Sequence, residues 1–176
     1  MIIKILYFNQ QIFEWLFSNL KLFFFRKDVL FREEIIISQF SPFFTGDKVL
    51  ELGCFEGALT KRLAAHFPHS SCVEASSDAI HKAQQSGPTA RYINSRFEEA
   101  KLDRRFDTIV MTHVLEHLDD PVAVLKRIND EWLTEDGHFL LVCPNANAPS
   151  RQIAVKMGLI SPNAAVTDAE RAALAL

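Results

Sequence analysis

Residues 48–60, KVLELGCFEGALT, carry the information that decides the fold. Val49-Leu50-Glu51-Leu52 reads as a short apolar strand that stops in a turn marked by Gly53 and Gly57 and continues into a helix from about Ala58. Strand, glycine turn, helix is the opening unit of a doubly wound α/β nucleotide-binding fold. Gly53 permits a positive φ at the strand's carboxyl end. Gly57 lets the backbone pass close to a ligand and starts the helix with no side chain in the way. A dinucleotide fingerprint requires G-x-G-x-x-G, and the middle glycine position is Phe55 here, which weakens a reading as an NAD site. Glu51 is an acid inside an apolar strand, where a carboxylate is costly to bury without a partner. Its natural partner is a cation or a set of donors at the strand end. The bland alternative is a tight strand-to-helix turn that holds no ligand.

Outward from this turn the elements alternate. The first helix runs from Ala58 to about Phe67, and a second strand covers Ser71 to Glu74. A helix follows Ser77, which can cap it, and ends at Gln85 before Ser86-Gly87-Pro88. Further strands are expected at Ala90–Asn94, Phe106–Met111 and His138–Cys143, with a helix from Pro121 to Trp132 between the last two. Asp120 caps that helix and Pro121 takes its first position. Strands alternating with helices imply an α/β class, a doubly wound, mostly parallel Rossmann-like sheet with five recognisable strands. Upstream, Glu33–Phe44 reads as a helix ended by Ser41-Pro42, and Thr45-Gly46-Asp47 as the turn into the first strand.

The bulk properties restrict the function classes. A chain of 176 residues suits one core, and 48% hydrophobic and 23% charged residues describe an ordinary globular protein. A net charge of −3 gives no global attraction to nucleic acid or to an anionic membrane. Three cysteines without C-x-x-C spacing, Cys54, Cys72 and Cys143, fit reduced thiols in a cytoplasmic protein and exclude a disulfide framework. Residues 1–32 hold many of the fifteen phenylalanines, yet Lys4, Gln11, Glu14, Ser18 and Lys21 interrupt them. A spanning helix needs about 20 nearly continuous apolar residues. On a helix these polar residues form one narrow stripe, so the segment is expected to cover the domain or its cleft as an apolar helix. Peripheral membrane contact or self-association through residues 1–25 is the alternative.

The pattern Glu51-x-Gly53-x-x-x-Gly57 resembles motif I of the class I S-adenosylmethionine-dependent methyltransferases. FDTIVMTHVLEHLDDP at 106–121 resembles the segment around the fourth strand of their small-molecule members, including ubiquinone-type O-methyltransferases. The resemblance runs from about Val49 to Pro144, and more loosely through residues 144–160. It implies S-adenosyl-L-methionine as cofactor, with Gly53, Phe55 and Gly57 as the cofactor turn and Glu51 beneath its amino-acid end. Glu74, at the end of the second strand of the βαβ unit with Ala75 beside it, stands where an acid accepts bonds from both ribose hydroxyls; this serves NAD equally. In the loop after the third strand the family carries an acid toward the adenine amino group. Arg96 occupies that position here, a departure, with Phe97 able to stack and Glu98 as the nearest substitute acid. Thr112 and His113 border the reactive end. His113 and His117 are the candidates for a general base. His113-Val114-Leu115-Glu116-His117 also matches an inverted zinc-protease pattern, but it starts where a strand ends, and no metal is expected.

The family fold has seven strands, and no residues are left here for the last two, so a C-terminal truncation is expected, with strand five an exposed edge unless something covers it. The divisions are 1–45 as an N-terminal apolar helical segment, 46–145 as the cofactor domain and 146–176 as a helical tail. The implied activity is methyl transfer to a small-molecule acceptor, an O-methylation, with no nucleic-acid partner. An NAD-dependent oxidoreductase and a catalytically inactive adenosyl-binding module are the rival readings.

Overall fold

The computed structural model describes residues 2–5, 28–87, 89–144 and 149–158. In chain order these form strand β1 (Ile2–Ile5), helix α1 (Asp28–Phe40), β2 (Lys48–Leu52), α2 (Ala58–His66), β3 (His69–Glu74) and α3 (Ser77–Gln85). There follow β4 (Arg91–Asn94), β5 (Phe106–Thr112), α4 (Pro121–Arg127), β6 (Leu133–Val142) and α5 (Pro149–Lys156). The strands make one sheet in the order β1-β6-β5-β2-β3-β4, and every neighbouring pair is parallel. The chain moves outward from β2 through β3 to β4, then returns to the other side of β2 with β5 and β6. The order therefore switches between β2 and β5, and a crevice opens beyond their carboxyl ends, where open α/β sheets bind ligands.

The period-2 alternation of the strands sorts the core into two faces. Leu50, Leu52, Ile109, Met111, Phe139 and Leu141 point to one side, where Val124, Ile128 and Trp132 cover them. Val49, Val110, Leu140 and Val142 point to the other, against Ile36 and Phe40 of α1 and Leu59 and Leu63 of α2. Helix α1 is thus built into the sheet's face. By the same alternation Glu51 shares the face of Val49 and looks toward α1 and α2.

All five strands expected from the sequence are present, and the differences have local causes. Helix α1 stops at Phe40 and tightens into a 3₁₀ turn, Ser41–Phe43, around Pro42, which has no N–H to continue an α-helix. The cap of α3 is Ser76, whose Oγ accepts from the Ala79 N–H at 3.2 Å, one residue before the expected Ser77. Asp120 does cap α4, accepting from the Ala123 N–H at 2.9 Å, and the helix widens into a π turn over Ile128–Trp132. Strand β6 starts at Leu133 rather than His138 and runs on through Thr134-Glu135-Asp136-Gly137, with the register shifted opposite Phe106–Thr108.

The largest correction is at the N-terminus. Ile2–Ile5, expected to begin a helix, form a sixth strand parallel to β6, with Ile2 opposite His138 and Ile5 opposite Leu141. The outer edge of β6 is a row of unpaired N–H and C=O groups, and an isoleucine-rich, β-branched stretch satisfies it better as a strand than as a helix. The rest of the apolar segment, 6–27, and the tail, 159–176, lie outside the described residues. No helix among the described residues is long and apolar enough to cross a membrane.

Candidate functional site

The turn after β2 is drawn in by two bonds: the Gly53 N–H donates to Val73 O and the Gly57 N–H to Cys54 O, each at 2.9 Å. Gly53 has φ +81°, and a Cβ there would lie 2.5 Å from Val114 Cγ2. A side chain is excluded at that position by strain and by space. Gly57 has φ +82°, but what it approaches is α3: a Cβ would stand 2.8 Å from Ala83 Cβ and 3.1 Å from Ala83 Cα. It lets α2 start packed against α3. Phe55, where a dinucleotide site has glycine, also adopts a left-handed φ of +47° and leaves its ring 70% exposed.

Two acids flank this turn in opposite environments. Glu51 is buried at 2% exposure; its Oε2 accepts from the Thr60 hydroxyl at 2.5 Å. Burial pushes its carboxyl up to about 8, the Thr60 bond opposes this, and the charges of Glu74 and Glu33 add to it. Near neutral pH the buried acid therefore holds a proton. Glu74, at the tip of β3, accepts from the Phe55 N–H at 3.1 Å and the Ser76 N–H at 2.9 Å, so this carboxylate stays solvated by backbone donors.

A cavity of about 400 Å³ opens here. Of the sequence candidates, Glu51, Gly53, Phe55, Glu74, Thr112 and His113 line it. Gly57, Ala75, Arg96, Phe97, Glu98 and His117 are not among its lining residues. Ala75 offers its carbonyl to Asn94 Nδ2 at 2.8 Å. Arg96 is turned away to Asp119 at 2.9 Å and Glu98 at 3.6 Å. Phe97 is half-buried, with Cζ 3.8 Å from the position a Gly53 Cβ would take. His113 has φ +55° and donates its N–H to Val142 O at 2.9 Å; its Nδ1 lies 3.8 Å from Glu116 Oε1. His117 is exposed, in the 3₁₀ turn Leu115–His117. Among the described residues no three His, Cys, Asp or Glu side chains converge as a metal site.

The structure adds residues that sequence reasoning missed. Arg32, Glu33 and Ile36 of α1 form one wall of the cavity. Their signal was present: Glu33 is an acid on the same helical stripe as Ile36 and Phe40, at spacings of three and four, and such a stripe faces the core. Arg127, at the end of α4, donates from Nη1 to Phe97 O at 2.6 Å and Glu98 O at 2.8 Å, and from Nη2 to Ala100 O at 2.7 Å. It also pairs with Glu131 at 2.8 Å and stacks 4.8 Å over the Trp132 ring. One guanidinium thus holds the loop after β4 in place.

The donor set suits a cationic adenosyl compound. Carboxylates ring the cavity floor and rim, and the βαβ unit supplies the strand-end acid that ribose hydroxyls bind. A family model described as "Methyltransferase domain" matches residues 27–168. The chain belongs to that family. The match decides against the oxidoreductase reading of the glycine turn. This methyltransferase domain is 31% identical over 100 residues to "Nodulation protein S" of Azorhizobium caulinodans, covering 54% of this chain and 48% of that protein. It is 32% identical over 117 residues to a "Ubiquinone biosynthesis O-methyltransferase" of Cereibacter sphaeroides, covering 64% and 46%. Among solved structures, the glycopeptide N-methyltransferase MtfA complexed with S-adenosyl-L-methionine superimposes with a TM-score of 0.56 at 21% identity, covering 69% of this chain and 58% of that one. The domain spans about half the length of these curated relatives.

Proposed function

We propose that this domain binds S-adenosylmethionine in the cavity beyond β2 and β5 and transfers its methyl group to a small-molecule hydroxyl. The observation that carries the reading is the pair Glu51 and Glu74 on one cavity at the switch point, one acid beneath and one at the strand end. When bound, the cofactor would supply an electrophilic methyl on a sulfonium, to be taken by an acceptor lone pair with the carbon–sulfur electrons left on sulfur. The chain's own residues orient and screen. Gly53 keeps the floor free of side chains, Glu74 receives the ribose hydroxyls beside Ala75, and Glu51 faces the amino-acid end. Phe97, in the loop with Arg96 and Glu98, edges the adenine, and Thr112 borders the methyl. His113 lines the cavity and can take the hydroxyl proton on an imidazole nitrogen, with Glu116 Oε1 3.8 Å from its Nδ1. His117, exposed, is the weaker candidate for that role. The choice of oxygen over nitrogen rests on the likeness to the O-methyltransferase relative, while MtfA is an N-methyltransferase. The unpaired, buried Cys54 and Cys72 support a reducing, cytoplasmic setting.

Calorimetric titration with S-adenosylhomocysteine and, separately, NAD tests the reading. Micromolar binding of the homocysteine compound alone, weakened about tenfold or more in Glu74→Ala, is the expected result. Binding of NAD, or of neither compound, would overturn it.

A further inference from the structure

Glu33 is the one acid of the cavity wall that the fold itself does not explain. Its side chain is 6% exposed, and Oε2 has no hydrogen-bond partner. Its other oxygen is 3.5 Å from Arg32 Nε. The residue lines the same cavity as Glu51, from the opposite element, α1. An apolar residue here would continue the Ile36–Phe40 stripe and pack against the sheet at no electrostatic cost. A buried carboxylate with a free oxygen carries a penalty that a ligand with donors can offset. Two acids on one cavity, with the charge of Glu33 felt at Glu51, call for positive charge, and a compact ammonium offers three N–H donors to such a pair.

We propose that Glu33 is a ligand for the α-ammonium group of the donor, forming with Glu51 a two-carboxylate seat between α1 and β2. This rests on the cofactor reading above and assigns part of the affinity to a helix outside the βαβ unit. In the free protein the seat is neutralised in part by the proton on Glu51. The ammonium takes the place of that proton, which leaves to solvent, so the charges balance. The other charged or titratable groups lining the cavity are Arg32 of α1, Glu56 of the glycine turn, Glu74 of β3 and His113 after β5, and none of them donates a hydrogen bond to Glu33 Oε2.

The test is titration of wild type, Glu33→Gln and Glu33→Asp with S-adenosylhomocysteine and with its analogue lacking only the α-amino group. Wild type is expected to prefer the amino compound, and Glu33→Gln to lose about ten- to a hundredfold for it while binding the deaminated analogue unchanged. Glu33→Asp, which keeps the charge but withdraws it by one methylene, should fall between. The thermal midpoint of unliganded Glu33→Gln should equal or exceed that of wild type, because a buried charge has gone. Equal losses for both compounds, or a wild type that does not distinguish them, would overturn the inference and leave the cofactor reading standing. Failure of wild type to bind either compound would overturn both.

Discussion

The floor and the rim of the cavity treat the same functional group in opposite ways. At the floor Glu51 is buried with the Thr60 hydroxyl as its side-chain donor, and burial drives it toward the protonated form. At the rim, the next strand over, Glu74 receives one backbone N–H from Phe55 of the glycine turn and one from Ser76 of its own loop, and remains half-exposed. The sequence distance between them is that of one βα unit, yet one acid is driven toward its neutral form by burial and the other is held by backbone N–H donors. A carboxylate's role here follows from how many donors its strand end provides and not from the strand's own sequence.

The largest expected effect that would break this contrast is at the floor. In the unfolded chain Glu51 titrates near 4.5, in the folded one near 8, so between these values the folded state binds more protons and stability falls as pH rises. The stabilising contribution is whole below about 4.5 and gone above about 8. Glu51→Gln removes the slope. Urea denaturation should find the variant close to wild type at pH 5 and more stable by a few kcal/mol at pH 8. Parallel pH profiles for the two proteins would mean that burial does not raise the floor acid.

A smaller effect is expected where the rim is braced from outside. Arg127→Ala strips the donors from the carbonyls of Phe97, Glu98 and Ala100 and should cost about 2 kcal/mol of unfolding free energy. Hydrogen exchange should rise over residues 96–100 and leave β2 protected. The smallest effect belongs to the rim's exposed ion pair, Lys82 with Glu56 at 2.8 Å. Lys82→Ala should leave the urea midpoint nearly unchanged, and salt should erase what difference there is.

Much of the site was legible because it is local. Glu51, Gly53 and Glu74 lie within one strand–turn–helix–strand unit, where spacing alone brings them to a common edge, and the apolar run into Thr112 and His113 marked the adjoining strand. Gly57 was legible as a glycine but not as to its neighbour, since Ala83 is brought opposite only when α3 packs. Glu33 could have been read from its stripe with Ile36 and Phe40, but which cavity that stripe faces depends on where α1 docks. Arg127 left no such mark; its partners are backbone carbonyls about 30 residues upstream, and carbonyls carry no sequence signal.

By itself the sequence determined the alternation of strands and helices, the glycine turn with its two acids and the methyltransferase ancestry, because each is written in neighbouring residues through the 2- and 3.6-residue periods and turn chemistry. Tertiary structure alone decided that Ile2–Ile5 pair with the edge of β6, that α1 walls the cavity with Glu33, and that Glu51 keeps its proton. Pairing, docking and desolvation are properties of surfaces that meet only after the chain has folded, and burial sets their energies.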